Sequence, residues 1–202
     1  MKFSAAPYLL LGTTNRHKIA EFQLAFAAFG MEVRTPEQLS LTLPEVLEDG
    51  LTIAENSAKK AICYARASGV WVVADDTALE VDCLDGRPGV HSARFAGPNA
   101  TMAENRALLM TELRGIPHSQ RTARFVCHLT VADPQARIVA SAVGSCPGII
   151  VDTPQGTGGF GYDTLFLMPE FQKTMAELDD QQRCAATHRG LAVRQLLSAT
   201  SQ

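Results

Sequence analysis

Apolar residues form short runs or alternate with polar residues in several parts of the chain, which predicts β-strands there. Elsewhere apolar residues recur at helical spacing, as Ile19, Phe22, Phe26 and Phe29 do, which predicts helices. The predicted strands cover residues 8–11, 31–35, 70–74, 79–82, 124–131, 138–143 and 164–167, and the predicted helices cover residues 15–29, 52–67, 100–114 and 187–199. This order, with βα units early and a long strand pair later, favours an α/β fold with a mixed sheet.

The same pattern favours one domain over residues 1–202. No internal repeat, low-complexity tract or long Pro- or Gly-rich linker interrupts it. With 202 residues, 46% of them hydrophobic, the chain is long enough to bury a sizeable core. Two consecutive β-rich runs within residues 121–150 are interpreted as a hairpin that can project as a second lobe.

Charge and cysteine content exclude several classes of function. The 18 Lys and Arg against 21 Asp and Glu give a net charge of −3, so nucleic acid and anionic membranes are not expected partners. The apolar stretch at residues 8–11 is too short for a signal-peptide core or a membrane span, which favours a cytoplasmic protein. The five scattered cysteines form no metal-binding spacing and are expected to be reduced thiols.

The segment between the first strand and the first helix is a candidate phosphate site. It covers residues 12–18, where the free backbone N–H groups and the dipole of a helix N-terminus attract an anion. It is not a P-loop, because His17 stands where the second glycine is required and Ile19 where a Ser or Thr ligand to magnesium is required. The alternative is that Thr14 or Asn15 only caps the helix and Lys18 is solvated.

Asp75, Asp76 and Thr77 follow an apolar run, at the place where an open α/β sheet presents its strand ends to a ligand. Paired carboxylates there can hold a divalent cation or a water molecule. If the strand continues through them, the two carboxylates point in opposite directions, so one faces the cleft and the other bonds the backbone or a basic partner. The alternative is a simple turn.

Residues 156–161 fit the string G-x-G-x-x-G, but a strand-like segment follows where a dinucleotide-binding fingerprint requires a helix. A glycine-rich turn that carries Phe160 and Tyr162 can instead place amides and an aromatic face against a planar base, with Asp163 accepting a hydrogen bond. A plain hairpin turn is the alternative. His188 and Arg189 at the start of the last helix form another anion-binding terminus.

Six short segments, taken together and in this order, resemble the inosine triphosphate pyrophosphatase family. They are Thr13-Thr14-Asn15-x-x-Lys18, Glu55-Asn56-x-x-Lys59, Ala74-Asp75-Asp76-Thr77, Pro88-Gly89-Val90-His91-Ser92-Ala93-Arg94, Gly158-Gly159-Phe160-Gly161-Tyr162-Asp163 and Thr187-His188-Arg189-Gly190. No single segment is decisive, but the set spans nearly the whole chain.

The resemblance implies an enzyme that hydrolyses ITP, dITP and XTP to monophosphate and pyrophosphate with Mg²⁺ and so removes non-canonical purines from the nucleotide pool. It also implies an elongated mixed β-sheet flanked by helices, two lobes with a central nucleotide cleft, and a homodimer. A pyrophosphatase for another modified nucleotide class and a catalytically silent nucleotide-binding protein are the alternatives.

The resemblance also implies roles for individual residues. Asp76, Lys18 and Lys59 are the expected catalytic residues, with Asp76 orienting or deprotonating a water that attacks the α-phosphorus. The expected substrate-binding residues are Thr13, Thr14, Asn15, Arg16, His17, Lys18, Thr77, Phe160, Gly161, Tyr162, Asp163, Arg183, His188 and Arg189. A donor to the 6-oxo group of hypoxanthine is expected from His188, Arg189 or a backbone amide.

The sequence departs from the family pattern at a few positions. Asp76 is the expected Mg²⁺ ligand, and because Leu47 stands where an acid is common, either Glu48 or Glu45 completes the site, with Glu48 favoured. Arg183 replaces a lysine that precedes the His-Arg pair, and Thr187 replaces a serine. Arg94 and Lys173 are explained equally well by surface charge, by structural ion pairs or by direct roles.

Overall fold

The computed structural model describes residues 3–199, and its strands form one sheet. The strands are β1 (Leu9–Leu11), β2 (Val33–Arg34), β3 (Val72–Val81), β4 (Pro88–Gly89), β5 (Thr122–Ala132), β6 (Ile138–Ile150), β7 (Phe166–Met168) and β8 (Lys173–Thr174). Their order is β2-β1-β3-β5-β6-β7-β8, with β4 paired to β3. The helices are α1 (Arg16–Ala27), α2 (Ile53–Ser68), α3 (Met102–Glu112), α4 (Asp180–Ala186) and α5 (His188–Ser198).

The sheet is mixed, as the order of elements predicts. Strand β1 pairs in parallel with β2 and β3. The other pairs in this order are antiparallel: β3 with β5, β5 with β6, β6 with β7, and β7 with β8. The hairpin of β5 and β6 lies in the middle of the sheet, beside β3. That this hairpin forms a second lobe, and that residues 1–202 form one domain, stay predictions.

Helices cover both faces of the parallel part of the sheet. In β1, Leu9 and Leu11 pack into one apolar cluster with Phe22 and Phe26 of α1, whereas Leu10 packs into another with Tyr64 of α2. A strand that is buried on both faces needs a continuous apolar run, which is what residues 9–11 provide. A third cluster lies around α3 and β7.

The predicted helix starts are correct to within one residue at α1 and α2. Asn15 caps α1, because its Oδ1 accepts from the amide nitrogens of His17 at 3.0 Å and Lys18 at 3.3 Å. Thr52 caps α2 by accepting from the Glu55 amide at 3.2 Å, and the Glu55 carboxylate accepts from the Leu51 amide. No helix within residues 3–199 is both long and apolar enough to cross a membrane.

Candidate functional site

A cavity of about 310 Å³ opens where the N-termini of α1 and α5 meet α2, β3 and the turn at residues 158–163. It brings together most of the residues that the sequence singles out. Those that line it are Thr13, Thr14, Asn15, Lys18, Glu48, Asp76, Thr77, Phe160, Gly161, Tyr162, Asp163, His188 and Arg189. Residues that lie 176 positions apart in the chain, such as Thr13 and Arg189, therefore share one site.

The wall of the cavity at the start of α1 depends on a close approach of the backbone. A Cβ atom at Gly12 would lie 2.8 Å from Cδ2 of Tyr64 and 2.9 Å from Cβ of Ala74. Glycine therefore lets the chain pass between α2 and β3 before α1 begins. Asn15 both caps the helix and lines the cavity, so the helix-capping alternative and the phosphate-site prediction apply to the same residue.

Asp75 and Asp76 lie on opposite sides of β3, as a continuous strand requires. Asp75 is 2% exposed and accepts from Nζ of Lys18 at 2.8 Å and from Oγ1 of Thr77 at 3.2 Å. Burial alone would raise the pKa of Asp75, but the charges of Lys18, Lys60 and Arg189 outweigh it and lower the pKa to about 2. Asp75 is therefore ionised at neutral pH, and its carboxylate holds the Lys18 ammonium.

Asp76 faces the cavity. Its Oδ2 accepts from Nδ2 of Asn56 at 3.1 Å, and its Oδ1 accepts from the backbone amide of Thr77 at 2.9 Å. Burial raises the pKa of Asp76 above its usual value, and the positive charges of Lys60 and Lys18 only partly offset that effect. A carboxylate with a raised pKa is a better proton acceptor than an ordinary one.

The Lys60 ammonium lies between two carboxylates. Its Nζ is 2.7 Å from Oε1 of Glu48 and 3.8 Å from Oδ1 of Asp76. Burial favours the neutral form, but Asp75, Asp76 and Glu48 together raise the pKa of Lys60, so the side chain stays charged.

The structure places Lys59, an expected catalytic residue, outside the cavity. Its side chain is 45% exposed, pairs with Asp49 and does not line the cavity. Successive helical residues are about 100° apart around the axis, so two neighbouring lysines cannot both face the site. Asn56, Lys60 and Tyr64 recur every four residues and lie on the face of α2 that points to the sheet. That spacing is the signal in the sequence that distinguishes Lys60 from Lys59.

Two of the three expected metal ligands lie in the cavity. Glu48 and Asp76 line the cavity, whereas Glu45 is exposed and lies outside it, so the geometry favours Glu48 as the second candidate ligand. Residues 3–199 contain no group of three or more His, Cys, Asp or Glu side chains arranged to hold a metal alone. Mg²⁺ commonly takes one or two carboxylates and completes its shell with water and substrate phosphates, and this donor set fits that pattern.

Three predicted substrate-binding residues lie outside the cavity lining. Arg16 and His17 are exposed, although the His17 ring stacks on Phe160 with the ring centroids 5.1 Å apart. Arg183 is buried behind the turn and donates to Asp163 at 3.3 Å and to the Met175 carbonyl at 2.6 Å. Direct contact of Arg16 and Arg183 with a substrate is therefore not supported, and Arg183 supports the turn instead.

His188 lines the same cavity and is 1% exposed. Its ring stacks on Phe125 with the centroids 4.8 Å apart, and Nδ1 is 3.9 Å from Sγ of Cys146. Burial and the charges of Arg189, Lys18 and Arg183 lower the pKa of His188 well below its usual value, so the ring is neutral at pH 7. Within residues 3–199 its Nε2 is buried without a hydrogen-bond partner.

The glycine-rich turn presents Phe160 to the same cavity. Gly159 has a φ of 69°, and a Cβ there would lie 2.1 Å from Oδ2 of Asp163, so only glycine fits. That oxygen accepts from the Phe160 amide at 3.0 Å, and the Arg189 guanidinium lies 4.9 Å from the Phe160 ring centroid. Burial raises the pKa of Asp163 to about 6, although both Arg183 and Arg189 act against it.

The cavity also includes residues that the sequence did not single out as site residues. These are Lys60, Tyr64, Met102 and Phe125, whereas the other lining residues, Gly12, Ser92 and Ala93, lie in segments that the sequence analysis names. Tyr64 follows from the helical spacing described above. Met102 and Phe125 carry no local signal, because they reach the cavity through the packing of α3 and β5 on the third apolar cluster.

These features define an α/β protein with a cavity that is lined by lysines, carboxylates, a neutral histidine and aromatic rings. The sequence matches the Ham1 family over residues 9–199, and the chain belongs to that family.

Relatives and solved structures agree with this assignment and with the predicted family resemblance. The chain is 43% identical to a dITP/XTP pyrophosphatase of Desulforamulus reducens over 189 residues, 94% of this chain and 93% of the relative. It is 45% identical to that of Geobacillus kaustophilus over 188 residues, 93% and 91% of the two chains. A HAM1 protein from Coxiella burnetii superposes with a TM-score of 0.82 at 34% identity, covering 96% of this chain and 98% of that one. The expected fold class is thereby confirmed.

Proposed function

We propose that this protein hydrolyses ITP, dITP and XTP to the nucleoside monophosphate and pyrophosphate, with Mg²⁺, and so clears non-canonical purines from the nucleotide pool. The observation that carries the proposal is that one cavity joins Lys18, Lys60 and Asp76 to a neutral His188. The relatives' name, dITP/XTP pyrophosphatase, supports the same substrate class.

The charged end of the cavity suits a triphosphate. Lys18 and Lys60 offset negative charge on the phosphate oxygens, which is the main requirement of phosphoryl chemistry. Asp76 orients a water molecule and accepts its proton as the water oxygen attacks the α-phosphorus. The bond from the α-phosphorus to the bridging oxygen breaks, and pyrophosphate leaves. Mg²⁺ held by Asp76, Glu48 and the phosphates supplies further charge neutralisation when bound.

The aromatic end suits a 6-oxo purine. The neutral imidazole of His188 has a free Nε2, which can donate to an oxygen at position 6 of the base. Adenine has an amino group at that position, so two hydrogen-bond donors would face each other in a buried site. Adenine nucleotides would therefore bind less tightly. Arg189 and the amides of the glycine-rich turn are further candidate donors, and the Phe160 ring offers a stacking surface.

The resemblance supports two further parts of the proposal, a homodimer and a cytoplasmic location. Neither follows from the residues that line the cavity. Light scattering of the purified protein measures its mass in solution, and a mass of one chain would contradict the dimer.

Pyrophosphate release from ITP, XTP, ATP and GTP, measured with Mg²⁺ and with EDTA, tests the function. We expect rapid release from ITP and XTP that is lost in EDTA and in Asp76→Asn, because the substitution removes the proton acceptor and a metal ligand. Near-normal turnover by a folded Asp76→Asn protein would contradict the role of Asp76. Turnover of modified pyrimidine triphosphates alone would show another nucleotide class, and ITP binding without turnover would show a silent binding protein.

A further inference from the structure

Asn56 is a fully buried side chain that lies between the two carboxylate-bearing parts of the site. It belongs to the first turn of α2 and is 0% exposed. Its Oδ1 accepts from the Gly50 amide at 2.8 Å, and its Nδ2 donates to Oδ2 of Asp76 at 3.1 Å. One carboxamide thus contacts both the segment that carries Glu48 and the strand that carries Asp76.

The orientation of this carboxamide is fixed by its partners. A backbone N–H can only donate and an ionised carboxylate can only accept, so a flipped amide would lose both hydrogen bonds. The contact with Gly50 is also close, because a Cβ atom at Gly50 would lie 2.6 Å from Oδ1 of Asn56. Glycine at position 50 therefore allows the backbone to lie directly on the carboxamide.

The segment that carries Glu48 depends on such contacts for its position. Residues 41–50 form neither helix nor strand. On one side Asn56 holds Gly50, and on another Nη2 of Arg94 donates to the Glu48 carbonyl oxygen at 2.9 Å. The Glu48 carboxylate is held at 2.7 Å by Lys60, which lies one helical turn after Asn56 and on the same face. This also gives Arg94 a role in the structure of the site.

We infer that Asn56 is a positioning residue that sets Glu48 relative to Asp76. The inference rests on the proposed function, because it assigns Asn56 to the geometry of that reaction. Asn56 does not line the cavity, so its effect passes through the backbone of residue 50 and through the Asp76 carboxylate. Without it, the irregular segment keeps its apolar packing through Leu41, Leu43 and Val46 and its ion pair with Lys60, but it loses the hydrogen bond that links Gly50 to Asp76.

The test compares Asn56→Ala with Ser57→Ala. Ser57 is the next residue of α2 and is equally buried, but its hydroxyl bonds with His128 and Thr130, each at 2.8 Å. For each variant the measurements are the melting temperature, the exchange rate of the Gly50 amide hydrogen without nucleotide, the kcat for ITP, and the Kd for ITP in EDTA. The amide exchange reports the Asn56 contact independently of activity.

For Asn56→Ala we expect faster exchange at Gly50 and a kcat that is lower by about tenfold to a hundredfold, because small displacements of reacting groups have effects of that size. The Kd in EDTA should change by less than about threefold, since Lys18, His188 and Arg189 are untouched. Ser57→Ala should lose a similar amount of thermal stability but keep Gly50 protected and its kcat within about twofold.

Two results would overturn the inference. One is unchanged protection of Gly50 in Asn56→Ala, and the other is a loss of kcat that follows the melting temperature equally in both variants. Failure of the proposed function is a different result. It would show as no pyrophosphate release by the wild-type protein from any nucleotide, while the Gly50 exchange rates would still report whether Asn56 holds the segment.

Discussion

Lys60 and Lys59 are neighbours in α2, yet they differ in environment and so in expected function. The Lys60 side chain is 8% exposed and lies between Glu48 and Asp76, whereas the Lys59 side chain is 45% exposed and pairs with Asp49 at the surface. A charge in a site with little water acts strongly on phosphate oxygens, and an exposed charge is screened.

Replacing each lysine with glutamine separates these environments. We expect Lys60→Gln to lower kcat for ITP by about a hundredfold, the effect of removing one group that stabilises developing charge. Lys59→Gln should stay within about twofold of wild type. Pyrophosphate release with saturating Mg²⁺ measures both, and circular dichroism checks that Lys60→Gln is folded. Equal losses in the two variants would contradict the assignment of Lys60.

Because of Asp75, the free energy of unfolding is expected to depend on pH in the acidic range. Its pKa is about 2 in the folded protein against an ordinary value of 3.8. A lowered pKa in the folded state means that the unfolded chain takes up the proton first, so the stabilisation is complete above about pH 4 and is lost as the pH falls toward 2. The difference corresponds to about 2 kcal/mol.

Urea unfolding between pH 5 and pH 2 tests this expectation. The free energy of unfolding of Asp75→Asn should be lower than that of wild type at pH 5, because Lys18 loses its partner, and it should fall less steeply below pH 4. Parallel curves for the two proteins would mean that other carboxylates cause the acid sensitivity. Asp82→Asn is a suitable comparison, since Asp82 pairs with Arg124 at the surface, where the side chains are 53% and 49% exposed.

At the scale of elements, the base end of the site depends on how closely α5 lies on β6. A Cβ atom at Gly144 of β6 would lie 2.1 Å from the His188 carbonyl oxygen and 2.2 Å from the Ala192 amide nitrogen. Only a residue without a side chain lets the helix approach the strand this closely. His188 and Arg189 at the start of α5 owe their depth in the cavity to this contact.

Gly144→Ala should therefore affect both stability and substrate binding. The added methyl group pushes α5 away from the sheet, which we expect to lower the free energy of unfolding by about 1 to 3 kcal/mol and to raise the KM for ITP. Denaturant unfolding and steady-state kinetics measure these effects. The control is Ser145→Ala at the next, exposed position of the same strand, which should change stability by less than about 0.5 kcal/mol. A Gly144→Ala protein with wild-type KM would contradict the link between α5 and the base site.

The order and type of the long elements could be predicted from the sequence, because their apolar periodicity reflects the faces that they bury. The predicted strands at residues 70–74 and 79–82 are in fact one strand, β3, from Val72–Val81. The acidic pair interrupts the apolar pattern, but Lys18, Asn56 and Lys60 satisfy both carboxylates, so the ladder continues through them. Short elements such as β4, β8 and α4 have too few residues to show a period.

In the candidate site, too, some residues could be predicted from the sequence and others could not. Residues that follow an apolar run or open a helix, such as Thr13, Asp76 and His188, could be recognised from their position in the pattern. The family resemblance points to Lys59, whereas the phase of α2 brings Lys60 to the cavity. Arg183 was expected to touch the substrate, but a buried role behind a turn depends on the tertiary fold and has no signature in the local sequence.

At the scale of the whole molecule, a buried ion-pair network joins the two ends of the cavity. Glu21 of α1, the helix that opens at the phosphate end, accepts from Nη1 of Arg189 at 2.7 Å and from Nη1 of Arg183 at 3.3 Å. Arg183 in turn contacts Asp163 of the glycine-rich turn. One carboxylate therefore links elements from the beginning and the end of the chain.

Neutralising that carboxylate with Glu21→Gln tests whether the network couples folding to base recognition. The substitution keeps the size of the side chain but leaves two buried guanidinium groups short of negative charge, which we expect to lower stability by about 3 kcal/mol or more. Arg189, no longer fixed beside Phe160, should also hold the nucleotide less well, so the Kd for ITP in EDTA should rise by about tenfold. Isothermal calorimetry and denaturant unfolding measure the two effects.

Glu32→Gln is the matched control for this change, because Glu32 pairs with Arg34 at the surface, where the side chains are 55% and 42% exposed. It removes the same charge from the same part of the chain, and it should alter stability by less than about 1 kcal/mol and leave the Kd unchanged. Since both substitutions change the net charge equally, any difference between them comes from burial and from contact with Arg183 and Arg189. A Glu21→Gln protein that is destabilised but binds ITP normally would show that the network supports the fold without setting the base site.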